Sequence, residues 1–158
     1  MLITVSLLAG PTSRVPSPVF AADAESVGIE LAEEALALLN AERSANGLAP
    51  LEEAPDLDIV AASRALDMAA TDTLSHSIAG SGAEALLHAT GVPYDRMGEN
   101  IARSDEAADQ VVEVIHVALM ASDSHRSNML DPHFDHVGIG VARLDNTYYF
   151  AVVFVGDG

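Results

Sequence analysis

The stretch Val137–Phe154, which reads VGIGVARLDNTYYFAVVF, carries the clearest signal for the architecture of this chain. Its first residues alternate apolar side chains with glycine or alanine, and this period of two is typical of a β-strand. A polar break at Asp145-Asn146 predicts a hairpin turn, and a second strand follows from Tyr148 to Val155. The second strand is apolar on both faces, as expected of a central strand that is covered on both sides.

Upstream of this hairpin, apolar residues recur at helical spacing and predict four helices. These helices begin near Glu30, Pro55, Gly82 and Ser104. Helices that must cover two faces of one sheet make a three-layer α/β/α sandwich. We therefore expect an α/β fold with a small, mainly antiparallel central sheet flanked by about four helices.

The composition is that of one globular domain with a strongly acidic surface. The chain has 158 residues, no cysteine and a formal net charge of −17, and all seven of its basic residues are arginine. The lack of cysteine excludes a disulfide scaffold, a thiolate metal site and a cysteine nucleophile. A surface this acidic repels phosphate groups, so we expect no nucleic-acid partner and no attraction to anionic membranes.

Residues 1–24 are expected to form a signal-peptide-like or flexible leader, followed by a single domain over residues 25–158. The apolar run from Leu2 to Ala9 is shorter than the roughly 20 residues that a membrane-spanning helix needs, so we expect no integral membrane segment. Ala22-Asp23-Ala24 is a small-x-small pattern of the kind that a signal peptidase cuts. No basic residue precedes the apolar run, so a degenerate export signal and a chance apolar run both stay open, and we favour export.

Three short polar clusters at the ends of predicted elements contain the residues that could do chemistry. They are Leu74–Ser77 with His76, Met97–Ala102 with Glu99, and Ser122–Leu130 with His125. Imidazole suits zinc or copper, and a carboxylate can complete a metal's ligand shell or act as a general base. Solvated or helix-capping side chains are the alternative interpretation, and the clusters taken alone favour it.

The order and composition of these clusters resemble the CAP superfamily, also called the SCP or PR-1-like family, and most of all its short bacterial members. The similarity runs from about Ala35 to Phe154 and comprises, in the family's order, Leu39–Leu51, Ser75-His76, Gly98-Glu99-Asn100-Ile101, His125–Leu130 and the two final strands. The resemblance implies an α/β/α sandwich with a cleft lined by His76, Glu99 and His125. It also implies that the cleft binds a divalent metal in some members, often zinc, with His76 and His125 as the metal ligands here.

The chain departs from the family pattern at the second acidic position of this cleft. Many eukaryotic members carry a further glutamate on the helix before the second histidine, three residues after a tryptophan. Leu119 stands at the place of that tryptophan and Ser122 at the place of that glutamate. The two histidines and one carboxylate could hold zinc with water in the fourth position, or they could form a hydrogen-bonded cleft that seldom holds metal.

The resemblance implies a secreted protein whose cleft binds an extracellular ligand, either a peptide, a lipid, a glycan or another small molecule. Zinc or another divalent metal would then stabilise the cleft or bridge the ligand. The alternative is a metal-dependent hydrolase or peptidase in which His76 and His125 hold the metal and Glu99 is the general base. A surface protein that is kept soluble by its acidity is a third hypothesis.

Overall fold

The protein folds into helices on both faces of a four-stranded sheet. The computed structural model describes the backbone of residues 18–156 and the side chains of residues 26–156. The elements in this part of the chain are α1 (Pro18–Ala45), β1 (Glu52–Glu53), α2 (Pro55–Thr71), α3 (Ala83–Thr90), β2 (Arg96–Ser104), α4 (Val111–Ala121), α5 (Asp123–Met129), β3 (His136–Leu144) and β4 (Thr147–Gly156). The expected α/β/α fold is confirmed, with five helices in the described region where about four were predicted.

The sheet has the strand order β1-β3-β4-β2 and is mixed, which corrects one detail of the prediction. Strand β4 pairs antiparallel with β3 from the hairpin end, Leu144 with Thr147, and also pairs antiparallel with β2. Strand β1 adds a short parallel pairing in which Glu52 is opposite His136. Two exposed glutamates carry no alternating pattern, so nothing in the sequence signals β1.

The two faces of β4 are covered by different helices, as its apolar sequence predicts. Phe150, Val152 and Phe154 belong to a core formed with α1, α4 and α5. Tyr149 packs on the other face among residues of α2, and Val153 packs there among residues of α2 and α3. Because these helices lie on opposite sides of one sheet, side chains of consecutive residues on each strand enter different environments.

Two glycines let helix α2 lie directly on strand β3. A β-carbon on Gly138 would lie 2.2 Å from the carbonyl carbon of Leu57, and one on Gly140 would lie 2.2 Å from that of Ala61. Real β-carbons are not found this close to backbone atoms, so the packing requires glycine at both positions. The alternation that predicts the strand therefore also sets the distance of closest approach between the sheet and the helix.

Helix α1 begins earlier than the sequence predicts. The expected start was near Glu30, whereas the helical backbone already begins at Pro18 and so includes Ala22-Asp23-Ala24. The apolar run of the expected leader, Leu2 to Ala9, lies outside the described residues, and export stays a prediction. None of the helices in the described region combines the length and apolar composition needed to cross a bilayer.

Candidate functional site

The candidate site is built on the edge strand β2. Consecutive residues of a strand point to opposite faces of the sheet, so Glu99 and Asn100 face different layers. Glu99 contacts α2 and the segment that follows it, and Asn100 contacts α5. The family-like Gly-Glu-Asn sequence therefore places one polar side chain in each layer.

Glu99 joins a buried arginine to an exposed histidine. Its Oε1 accepts a hydrogen bond from Arg64 Nε at 2.8 Å, and its Oε2 lies 2.6 Å from His76 Nδ1. The side chain of Arg64 is fully buried, that of Glu99 is 7% exposed and that of His76 is 60% exposed. In the tautomer with the proton on Nδ1, His76 donates to this oxygen, because a carboxylate accepts hydrogen bonds. Nε2 of His76 has no partner within the described region and is free for a ligand.

Arg64 is the site residue that the sequence reasoning missed. Its Nη2 donates to the carbonyl oxygen of Ser75 at 2.6 Å, so the same guanidinium holds Glu99 and the backbone next to His76. Its Nη1 is buried and donates no hydrogen bond to any described residue, and it lies 4.0 Å from Asp67 Oδ2. Arg64 follows Ala61 by three residues, so it falls on the apolar stripe of α2. A charged side chain on a buried stripe was the available signal, because such residues are seldom buried unless they are paired.

His76 lies in the loop between α2 and α3, and the backbone of this loop is strained at one residue, Ala79. Ile78 and Ser81 form a β-bridge around a two-residue turn, in which Ala79 has φ +51° and Gly80 has φ +81°. Alanine in the left-handed region costs roughly 1–2 kcal/mol, whereas glycine at the next position costs little. The end of the loop packs against its start at Gly82, where only glycine fits, since a β-carbon there would lie 2.6 Å from the carbonyl oxygen of His76.

We expect Ala79→Asn to stabilise the protein by about 0.5–1 kcal/mol, because asparagine tolerates the left-handed region and Asn-Gly is the preferred pair in such turns. Scanning calorimetry should show a rise in the melting temperature of about 1–4 °C. The matched variant Ala79→Val should lower it, because a β-branched side chain is worse than alanine at positive φ. Equal shifts for the two variants would contradict the strained-turn explanation.

The third predicted site residue, His125, lies on α5 in the other layer. Its carbonyl oxygen accepts a hydrogen bond from Asn100 Nδ2 at 3.0 Å, and Asn128 Nδ2 donates to Asn100 Oδ1 at 2.9 Å. Asn100 is fully buried, so these bonds attach α5 to β2 and satisfy its amide. The His125 ring is half-buried and makes no hydrogen bond or ion pair within residues 26–156. Among the described hydrogen bonds, His76 thus contacts Glu99 directly, and His125 is connected to the strand through its backbone carbonyl.

The side chains present do not make the metal-ligand set that the resemblance implies. No group of three histidine, aspartate or glutamate side chains that could hold a metal ion occurs in the described part of the chain. Both oxygens of Glu99 are already in contact, one with Arg64 and the other with His76. The described geometry therefore fits a hydrogen-bonded pair better than a zinc centre, and metal binding stays a prediction from the resemblance.

A second buried arginine, Arg43 at the end of α1, positions the segment after α5. Its Nε donates to the carbonyl oxygen of Ala49 at 2.9 Å, and its Nη1 donates to those of Met129 at 2.9 Å and Asp131 at 3.0 Å. Desolvation by burial lowers the pKa of Arg43, although the negative charges of Asp131 and Asp135 oppose this shift. Arg43 therefore links α1 to two other backbone segments and acts through the fold rather than at the candidate site.

Comparisons with known proteins agree with this architecture. A family model described as "CAP: Cysteine-rich secretory protein family" matches residues 36–157. The Bacillus subtilis protein YkwD is 35% identical over 104 residues, which are 65% of this chain and 39% of YkwD, so the chain spans about two fifths of that relative.

Two solved structures share the fold. An outer surface protein from Borrelia burgdorferi has a TM-score of 0.72 at 22% identity, covering 82% of this chain and 94% of its own. An extracellular protein containing an SCP domain from Bacillus anthracis has a TM-score of 0.73 at 24% identity, covering 94% of this chain and 45% of its own. At such identities the likeness concerns the fold alone.

Proposed function

The chain belongs to the CAP family of cysteine-rich secretory proteins, and from this premise we propose that it is an extracellular binding module whose ligand contacts His76 beside Glu99. The observation that carries the proposal is the row of contacts from buried Arg64 through Glu99 to exposed His76. A ligand can approach only the outer end of this row. The inner end holds the histidine in one orientation.

The contacts from Arg64 through Glu99 to His76 suit binding because they hold the His76 ring in one orientation before a ligand arrives. The 2.6 Å contact with Glu99 fixes the orientation of the His76 ring, and Arg64 holds the loop backbone through Ser75. A group that is ordered before binding loses less conformational entropy when the ligand arrives. The ligand classes that we propose are a peptide, a lipid or a glycan with a polar group that hydrogen-bonds Nε2.

The extracellular location rests on two observations. Similar structures come from an outer surface protein and an extracellular protein, and Ala22-Asp23-Ala24 fits a signal-peptidase site. Sequencing the N-terminus of the protein purified from its native host tests this part directly. An intact Met1 on cytoplasmic material would contradict it.

The binding proposal predicts that at least one member of a panel of peptides, fatty acids and oligosaccharides stabilises the protein in a thermal-shift assay. A ligand at 100 times its Kd should add about 2.7 kcal/mol to the free energy of unfolding. The shift should disappear in His76→Ala and weaken in Glu99→Gln, which removes the charged acceptor for Nδ1.

The chain offers a matched control for His76. His133 is 70% exposed, and its Nδ1 lies 2.8 Å from a carboxylate oxygen of Asp131, so it resembles His76 without belonging to the site. His133→Ala should keep the full thermal shift. A shift that survives His76→Ala, or that both histidine variants lose equally, would contradict the proposed site.

The alternative function, a metal-dependent hydrolase with Glu99 as general base, has less support because both Glu99 oxygens are already engaged. Elemental analysis of the purified protein and of His125→Ala separates it from the binding proposal. One metal per chain that is lost in His125→Ala would support the metal site. Turnover that is lost in Glu99→Gln at unchanged metal content would support the hydrolase.

A further inference from the structure

The edge of the sheet opposite to the candidate site is formed by β3 and is only partly covered. Strand β1 pairs with His136 and Val137 alone. Beyond these residues, β3 has no strand partner on its outer side among the described elements. A strand edge of this kind presents unpaired backbone groups that can template another strand.

Several outward-facing backbone groups of this edge have no hydrogen-bond partner within the described residues. The N–H of Ile139 points outward and donates to Asp58 Oδ1 at 3.1 Å. Because outward-facing residues alternate along an antiparallel strand, the N–H and C=O of Val141 point the same way. Helix α1 covers that C=O, since a β-carbon on Gly28 would lie 3.0 Å from it. Among the groups without a partner are the carbonyl of Ile139 and the N–H of Val141, which are the acceptor and donor that one residue of an added strand would use.

The side chain of Asp58 accepts the hydrogen bond that strand β1 would accept if it continued past Glu53. The N–H of Ala54 still donates to the carbonyl of Val137, but α2 begins at Pro55 and β1 cannot continue. The next outward N–H of β3, that of Ile139, therefore donates to the Asp58 carboxylate instead of a backbone oxygen. Desolvation by burial raises the pKa of Asp58, and the hydrogen bond from Ile139 partly opposes the shift. The carboxylate is thus held inside the groove by a backbone contact.

The β3 groove, which we define by Ile29, Glu33, Glu53, Asp58, Leu66 and Arg143, lies over this edge between α1 and α2. Its volume is about 560 Å³, which is within the usual range of ligand sites. Its walls are apolar, with Ile29 56% and Leu66 61% exposed. Three of the six defining residues are acidic and one is basic, so the groove favours a cationic occupant.

We propose that the β3 groove docks a short extended segment of another protein in which lysine or arginine alternates with aliphatic residues. The aliphatic side chains point to the face covered by α2 and pack against Leu66, and the basic side chains point to the face covered by α1 and pair with Glu33. One backbone unit of the segment donates to Ile139 C=O and accepts from Val141 N–H. This site lies across the sheet from His76 and does not depend on the function proposed for it.

The probe for this inference is a fluorescein-labelled Lys-Val-Lys-Val-Lys-Val peptide, whose binding to the full chain is followed by fluorescence anisotropy. The corresponding Glu-Val peptide should not bind. Leu66→Lys should weaken binding at least tenfold, because it removes a wall and adds a like charge. Ile59→Lys is the matched control, since Ile59 is 59% exposed on the same helix but lies outside the groove.

Two further variants separate specific docking from attraction to the net charge of −17. Glu33→Gln should weaken binding more than Glu34→Gln, because the second glutamate is a sequence neighbour outside the groove. Val141→Pro removes the outward N–H but leaves the bonds to β4 in place, since proline is tolerated where a strand N–H faces outward. It should weaken the peptide without unfolding the chain, and circular dichroism checks the fold.

Equal losses within either matched pair, or equal binding of the acidic peptide, would overturn the proposal. Self-association that Leu66→Lys abolishes, without any peptide binding, would assign the groove to a second copy and would also overturn it. Loss of binding in Leu66→Lys and Val141→Pro, with binding kept in Ile59→Lys, is the supporting result.

Discussion

Gly140→Ala is expected to lower the free energy of unfolding by about 3 kcal/mol, at the upper end of the usual cost of overpacking a core. The added β-carbon would lie 2.2 Å from the carbonyl carbon of Ala61 and 2.3 Å from its oxygen and from the nitrogen of Ala62. These are backbone atoms of α2, so no side-chain rotation relieves the contact and the helix must move away from the sheet. In urea denaturation, the midpoint of unfolding should fall, while the slope of the free energy of unfolding against urea concentration should stay unchanged.

The control for this prediction is Gly28 of α1, a glycine that also lies close to backbone atoms of β3. A β-carbon on Gly28 would lie 3.0 Å from the carbonyl oxygen of Val141, a tight contact that a shift of a few tenths of an ångström relieves. Alanine gains up to about 1 kcal/mol over glycine inside a helix, so Gly28→Ala should be near neutral. If Gly140→Ala were as mild as Gly28→Ala, α2 would not lie on β3 as described.

The hairpin and the layered fold follow from the sequence because their signals are local. The alternation from Val137 predicts β3, and the doubly apolar β4 predicts cover on both faces, as observed. Strand β1 and the division between α4 and α5 were not predicted. Strand β1 contains only Glu52 and Glu53, and its pairing with β3 depends on tertiary contact across more than eighty residues of chain.

The candidate site was predictable in part. The resemblance selects His76 and Glu99, and the structure places them in contact. Arg64 was missed because a helical stripe is normally identified from its apolar members, and the pairing of a buried charge is a tertiary property. That His125 faces the same carboxylate stays a prediction, since the described hydrogen bond between His125 and β2 joins its backbone carbonyl to Asn100.

Arg64→Met is expected to destabilise the protein by about 3–5 kcal/mol, the cost of removing one partner from a buried ion pair. Arg64 is fully buried and Glu99 is 7% exposed, so solvent cannot replace the lost contact at 2.8 Å. Methionine keeps much of the volume and is a good helix former, so packing and helix propensity contribute little to the loss. The loss of the bond to the Ser75 carbonyl should also release the loop that carries His76.

Exposed Arg103 is the matched control, because it pairs with Asp72 at 3.2 Å while both side chains are about half or more exposed. Arg103→Met should cost less than about 1 kcal/mol, as is typical of surface ion pairs. The double variant Arg64→Met/Glu99→Leu should recover much of the stability lost in Arg64→Met, since an apolar pair often replaces a buried ion pair without loss. If Arg64→Met were as mild as Arg103→Met, or if the double variant were the sum of its parts, Arg64 and Glu99 would not form a coupled pair. In that case the ring of His76 would have no rigid support, and a fixed histidine could not be the basis of ligand binding.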